Sequence, residues 1–553
     1  MQQLIECVPN FSEGNDPDII RQITDQVESV SGVMLLNVDP GKATNRTVVT
    51  FVGNPEAVIE AAFRAIKKAG ELIDMSRHKG EHPRMGATDV CPLIPVANIS
   101  MEETAKYALQ LAKRVGEELH IPVYLYEAAQ TDKKRSNLSV IRAGEYEGFF
   151  RKIKQPEWKP DFGPTEFDVK RGATVIGARD FLVAYNINLN TTSTRRANAI
   201  AFDVREAGRN VMENGVKVNK PGSLKCVKAI GWYIKEYGIA QISINLTNIN
   251  VTPLHIAFDE VCKKADLRGV RVTGSEIVGL IPLKAILDAG KYFLRKQKRS
   301  TGVSEKELIK IAVKSLGLDE LSPFKPEEKI IEYMLQNKDD NKLVNMTLTD
   351  FADETASESP APGGGSVSAY VGALGISLGT MVANLSSHKK GWDDKWEEFS
   401  KQAEKGQQYK YELLRLVDED TKAFNNIITA MGLPKGTEEE KAIRAKAIQE
   451  ATRYAIEIPF KVMQTACESM EVIKAMVETG NPNSITDAGV GALCARSAVI
   501  GAFMNVRINA GGYDDKDYVN NIICRGQDIE NKAIALETEI RQIIHEKTAN
   551  LIH

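Results

Sequence analysis

Two of the seven histidines, His78 and His82, stand with Glu81 in the stretch SRHKGEHPRMGATDVCPLIPV, residues 76–96. His-x-x-Glu-His is the inverted zinc-peptidase pattern, in which two histidines one helical turn apart bind metal and the glutamate serves as base. Gly80 weakens a helix here, and Pro83 pushes His82 away from helical φ and ψ. The i,i+4 alignment needed to share a metal is then lost, and no third-ligand motif stands nearby. Zinc therefore ranks below two metal-free readings: a histidine working as acid and base, or a polar loop doing neither. Gly80, Pro83, Gly86 and Pro92 stiffen a short loop between a helix and an apolar strand, which favours a functional loop.

A second candidate is LVDEDTKAF, residues 416–424. Asp418, Glu419 and Asp420 occupy consecutive helix positions, point in different directions and cannot all face one pocket. Such a run is ordinarily a solvated face, yet one carboxylate of raised pKa can carry protons. The third is PAPGGGSVSA, residues 360–369. No Gly-Lys-Ser/Thr follows it, which excludes a phosphate loop. Gly363, Gly364, Gly365 and Ser366 fit a tight turn into a helix N-terminus that offers backbone N–H groups to a ligand. A close helix contact requiring glycine is the alternative.

These residues need elements to position them. LIECVP, VMLLNVD, RTVVTFVG, VCPLIPV and PVYLYEA read as strands. DPDIIRQITDQVESV, NPEAVIEAAFRAIKKAGELI and Met101 to Val115 read as helices between them, with Asp16-Pro17 suited to a capped first turn. The order is β-α-β-β-α-β with an additional α-β unit, an α+β arrangement. A second β-α-β-β-α-β run begins near Phe181, with helices over Thr194–Arg209 and Pro253–Lys264, and LKAILDAGKYFLRKQ follows it. The segment Lys154 to Asp180 reads as a joining loop. After about Glu332 the composition turns polar, and helical periodicity then dominates to His553. The expected organisation is 1–180 and 181–332 as two α+β subdomains, 333–345 as linker and 346–553 as an all-helical bundle. Gly363 to Ser387 carries no charge and contains Gly375-x-x-x-Gly379, a membrane-dimer pattern. Its Gly, Ala and Ser content, with no second span following, favours a central helix of a soluble bundle.

With 553 residues, 43% apolar and 26% charged, the chain has the composition of a multidomain globular protein. A net charge of −3 argues against a dedicated nucleic-acid binder. The N-terminus MQQLIECVPNF has no basic and apolar leader. The seven cysteines form no C-x-x-C pair and read as reduced residues of a cytoplasmic protein.

CVPNFSEG (7–14), HKGEHPRMGATDVCP, PAPGGGSVSA, LVDEDTKAF and GNPNSITDAGVGAL (480–493) together resemble the formimidoyltransferase-cyclodeaminase family, in the family's order and over nearly the whole chain. The resemblance implies transfer of the formimidoyl group from N-formimidoyl-L-glutamate to N5 of tetrahydrofolate. The product then closes to 5,10-methenyltetrahydrofolate with loss of ammonia, in the last part of histidine degradation to glutamate. It implies His82 as the acid–base residue of transfer, with His78 supporting or solvated, and Asp420 as that of ring closure, with Asp418 in reserve. Asp39, before Pro40-Gly41, would hold the amidinium or simply form a turn; Asn10 and Asn45 are further polar contacts. The family's folate-binding segment falls on Gly163, Pro164, Thr165, Glu166, Phe167, Asp168, Val169, Lys170, Arg171 and Gly172, whose end glycines suit close approach to a flat pterin. Tetrahydrofolate, expected as its polyglutamate, is then a co-substrate, and Lys133–Arg135 and Lys291–Ser300 are basic patches suited to its carboxylates. The resemblance further implies a homo-oligomer without metal, nucleic-acid or membrane partner. The competing readings are a folate-binding scaffold with one active site retained, and a glutamate formyltransferase.

Overall fold

The computed structural model describes residues 3–42, 44–80, 83–334 and 343–549. The chain forms two compact units, one of residues 1–285 with 316–336 and the other of 286–315 with 337–553.

The first unit opens with β1 (Leu4–Cys7), β2 (Asn10–Phe11), α1 (Pro17–Glu28), β3 (Val33–Gly41), β4 (Arg46–Gly53) and α2 (Pro55–Leu72). β5 (Thr88–Ala97), α3 (Met101–Glu118), β6 (Val123–Glu127), α4 (Leu138–Ile141), α5 (Glu145–Lys152) and β7 (Thr174–Ala178) follow. α1 starts where Asp16-Pro17 requires: the Asp16 carboxylate accepts the N–H groups of Asp18 and Ile19. β1 and β2 each pair with both β4 and β5, all antiparallel, while β3 lies outside β4. On the other side β5, β7 and β6 run parallel. Ile5, Cys7, Phe51, Cys91 and Leu93 face the core with apolar residues of α1, α2 and α3. Part of the opposite face is covered by Ile141 of α4 and Phe149 of α5, which join Val90, Tyr124, Tyr126 and Val175.

The expected loop Lys154–Asp180 is corrected here, because Thr174–Ala178 is a sheet strand between β5 and β6. All five of its residues are buried, so it carries no polar–apolar alternation for a period-two reading to detect.

The second sheet is built from β8 (Val183–Leu189), α6 (Thr194–Val204), β9 (Arg209–Glu213), β10 (Val216–Lys220), β11 (Val227–Ile234), β12 (Ile239–Leu246), α7 (Leu254–Asp266) and β13 (Val272–Val278). Its strand order is β11-β12-β8-β13, the expected β-α-β-β-α-β unit, with β9 and β10 as a separate two-stranded sheet. The helix expected to reach Arg209 therefore ends at Val204. Asn214 and Gly215, both with positive φ, turn the following residues into the β9–β10 hairpin.

α8 (Leu283–Lys296), α9 (Glu305–Leu316) and the short α10 (Pro326–Lys329) and α11 (Ile331–Met334) follow. Residues 286–315, most of α8 and α9, belong to the second compact unit. There the Thr301 N–H donates to Ser400 Oγ at 3.0 Å.

The remaining helices are α12 (Leu348–Thr355), α13 (Gly364–Ser387), α14 (Trp396–Met431), α15 (Glu438–Thr479), α16 (Ile485–Ala510) and α17 (Lys516–Ala549). α13 packs against α14, α15 and α16 in one apolar core. A second segment, 482–510, is also long and apolar enough to cross a membrane, contrary to the expectation of a single such stretch. Both helices pack inside the bundle, where Gly375 meets Gly491 backbone to backbone: a Cβ at Gly375 would lie 2.7 Å from Gly491 O. The glycine pattern thus serves a close helix crossing.

Candidate active sites

His82 and Glu81 lie outside the described residues. The described residues of the same loop are held firmly. His78 Nε2 is 2.8 Å from the Asn45 carbonyl, and its Nδ1 is 3.2 Å from Arg84 Nε. Because Arg84 can only donate, Nδ1 accepts and Nε2 carries the proton. Both ring nitrogens are engaged, so His78 serves as a support of the loop. Arg84 also pairs with Glu147 at 2.6 Å and Glu145 at 3.1 Å, fixing the loop to α5.

Asn45 is a hub of this region. Its side chain accepts from the Gly14 N–H and donates to Lys79 O at 2.9 Å. Asn10 Oδ1 accepts two hydrogen bonds from the Arg46 guanidinium. Asp39 is exposed on β3 and faces Val48 across the ladder.

The segment 163–172 borders both ends of the histidine loop. Lys170 O accepts the Met75 N–H at 2.9 Å, and Arg171 O accepts that of Ala87 at 2.8 Å. Sequence reading thus named two separate stretches that the fold brings together. Its reason for the glycines changes, however. Gly163 and Gly172 have φ of +84° and +69°, and a Cβ would lie 2.3 Å from Ile121 O and 2.2 Å from Met85 O. They permit backbone–backbone contact within the protein. Asp168 pairs with Arg171, Lys170 Nζ donates to Glu71 O, and Phe167 packs among Tyr146, Phe149 and Phe150.

Two charged residues here escaped sequence reading. A register shift between Asn10 and Phe11, where β2 meets β5, lies beside Asp89, which is fully buried. Asp89 accepts the Met85 N–H at 3.0 Å and the Arg142 guanidinium at 2.7 Å, with Arg46 at 3.7 Å. Glu6, on β1, is 2% exposed; burial lifts its carboxyl to about 7, with Arg179 acting in the opposite direction. A lone acid inside an apolar strand, as in LIECVP and TDVCPLIPV, was the available signal.

In the helical unit, Gly363 caps α13 with extended backbone and without a side-chain hydrogen bond. Asp420, half-buried on α14, stands in for that cap. It accepts from Ser366 Oγ at 3.0 Å and from the Ser366 backbone N–H. A Cβ on Gly365 would fall 2.1 Å from Asp420 Oδ1, so glycine is required there. Burial raises the Asp420 carboxyl above the ordinary aspartate range, and the two Ser366 bonds partly offset this. Asp418 turns elsewhere, accepting the Leu343 N–H at 2.8 Å, and Glu419 accepts from Tyr454. Gly365 and Ser366 therefore assemble with Asp420, while Gly364 lies against Asn505 and the two acidic neighbours of Asp420 point away.

Among the described residues no three His, Cys, Asp or Glu side chains converge in a metal-binding group.

An α/β unit framing a histidine loop, joined to a helical unit that buries a carboxylate at a helix start, has the form of a bifunctional enzyme. Residues 4–179 match the family described as "Formiminotransferase domain, N-terminal subdomain", 184–336 "Formiminotransferase domain" and 347–527 "Formiminotransferase-cyclodeaminase". The formimidoyltransferase-cyclodeaminase of Gallus gallus is 45% identical over 519 residues, covering 94% of each chain. The glutamate formimidoyltransferase of Thermoplasma acidophilum is 45% identical over 294 residues, 53% of this chain and 92% of its own. The methenyltetrahydrofolate cyclohydrolase of Methylorubrum extorquens is 35% identical over 203 residues, 37% of this chain and 98% of its own. The chain belongs to the formimidoyltransferase-cyclodeaminase family.

Proposed function

We propose that the protein moves the formimidoyl group of N-formimidoyl-L-glutamate to N5 of tetrahydrofolate and then closes the product to 5,10-methenyltetrahydrofolate, releasing ammonia. The observation that carries this reading is the Asp420 carboxylate at the start of α13, in a chain that matches a bifunctional relative over 94% of each chain.

In the first step N5 attacks the amidine carbon, the tetrahedral adduct forms, and the glutamate nitrogen leaves. His82 accepts the N5 proton and returns one to the departing nitrogen, a cycle suited to imidazole near neutral pH. Asp39 is assigned to the donor's amidinium and residues 163–172 to folate. In the second step N10 attacks the carbon of the protonated formimidoyl group, an amidinium, which leaves an amino group on the tetrahedral carbon. Asp420 takes the N10 proton and delivers it to the amino group, which departs as ammonia while the C–N double bond forms.

The folate is taken as its polyglutamate, and neither step uses a metal. Three of the cysteines, Cys7, Cys91 and Cys467, are buried as free thiols, in keeping with a cytoplasmic protein. Self-association is assigned to the neighbouring helices α13 and α16. These expose Leu374, Met381 and Leu385, and Val490, Leu493, Met504 and Ile508, at spacings of one to three helical turns. Light scattering of purified protein measures that assembly.

The deciding experiment is a coupled assay of purified protein with formimidoyl-glutamate and tetrahydrofolate, recording methenyl-folate absorbance and ammonia together. A formyltransferase would release no ammonia, and a scaffold would produce neither signal.

A further inference from the structure

Ser366 has one hydroxyl proton and three oxygens within hydrogen-bond reach. Its Oγ lies 3.0 Å from the Val417 carbonyl and 3.0 Å from Asp420 Oδ2, with Thr421 Oγ1 at 3.3 Å. The side chain is fully buried, so water does not compete. A hydroxyl rotates freely and can donate once while accepting twice. When Asp420 is ionised, the proton points to Oδ2. When Asp420 is protonated, Oδ2–H donates to Ser366 Oγ, and the serine proton swings to Val417 O. Every heavy atom stays in place, and neither state leaves a buried donor or acceptor unsatisfied. A backbone N–H alone could satisfy only the ionised form.

We propose that Ser366 is a positioning residue for ring closure, a rotor that holds Asp420 in both protonation states of its cycle. This rests on the assignment of Asp420 as the proton carrier. Gly365 belongs to the same device, since any side chain there would displace the carboxylate.

The electrostatic surroundings are sparse enough for the hydroxyl to matter. α13 carries no charged residue. On α14, Asp418 binds the Leu343 N–H, while Glu419 is engaged by Tyr454 of α15 and lies near Lys422 and Arg415. On α16 the Asn505 carboxamide lies against Gly364, and Arg507 is bonded to Gln527 of α17. Burial and Ser366 itself are the causes that set the Asp420 titration.

The test is the pH–rate profile of ring closure with supplied 5-formimidoyltetrahydrofolate, for wild type, Ser366→Ala, Ser366→Thr and Asp420→Asn. Loss of a hydrogen bond to a charged group should move the acid limb of Ser366→Ala up by about one pH unit. Its rate on the plateau should fall about tenfold or more, and Ser366→Thr, which keeps the hydroxyl, should restore both. Circular dichroism of each variant identifies unfolded protein, and a misfolded Ser366→Ala leaves the decision to the limb of Ser366→Thr against wild type in D2O and H2O. A wild-type acid limb in Ser366→Ala overturns the rotor while leaving Asp420 in place. Normal ring closure by Asp420→Asn overturns the underlying assignment instead.

Discussion

Asp420→Asn separates chemistry from architecture more cleanly than any other change in this chain. The carboxylate has two duties: it accepts the Ser366 N–H at the start of α13, and it exchanges a proton. A carboxamide oxygen retains the first duty and loses the second. Removing a cap outright costs about 1 kcal/mol, whereas removing an acid–base group costs about 10²–10⁴ in rate, roughly 3–5 kcal/mol of barrier. The folded-state pKa of Asp420 is raised, so its stabilising contribution is complete below the unfolded value and lost as pH rises through the folded one. Asparagine does not undergo that loss, so the variant should be no less stable than wild type at pH 8. The expected result is full formimidoyl transfer, accumulation of 5-formimidoyltetrahydrofolate, ring closure at least a hundredfold slower, and a melting temperature at pH 8 no lower than that of wild type. Asp420→Ala should add the lost cap, visible as a lower melting temperature. Normal ring closure in Asp420→Asn would falsify the assignment, and Asp418 would be tested next. Asp418→Asn should be much milder, because its carboxylate holds the Leu343 backbone.

His82→Ala should abolish transfer in an assay of the first step alone, whereas His78→Ala, which removes a loop support, should reduce it far less. Elemental analysis of fully active protein should find no stoichiometric zinc. For Glu6, whose carboxyl burial lifts to about 7 from an ordinary 4.5, stability should fall by about 3 kcal/mol between pH 4.5 and 7. Glu6→Gln lacks that titration, so its urea midpoint relative to wild type should rise from pH 5 to pH 8; a constant difference contradicts the burial argument. A fragment of residues 1–335 should transfer the group without releasing ammonia, as measured on formimidoyl-glutamate.

Most of the strands and helices were legible because their apolar periodicity and caps agree, as Asp16-Pro17 does at α1. β7 was not, since burial on both faces erases alternation. The β9–β10 hairpin carried an Asn-Gly signal at residues 214–215 that went unused, and the preceding helix was extended to Arg209, into β9. At the helical site, sequence placed Asp420 beside two other acids and could not orient them. Only tertiary contacts, Leu343 against Asp418 and Ser366 against Asp420, separate their directions. Asp89 could be noticed as a lone acid in an apolar strand, but the local break in strand pairing beside it and its arginine partners come from distant segments of the chain.

The assignment of residues 286–315 to the helical unit has a topological consequence. The chain passes between its two compact units at 285/286, at 315/316 and again at 336/337. Cutting the peptide between 336 and 337 therefore does not sort the sequence into its two folded bodies, because α8 and α9 remain covalently attached to the α/β part. A recombination that exchanges the helical part at that junction would leave its new partner facing α8 and α9 of foreign origin. Compatibility with residues 286–315, including the Thr301–Ser400 contact, would then decide which exchanges yield a stable protein.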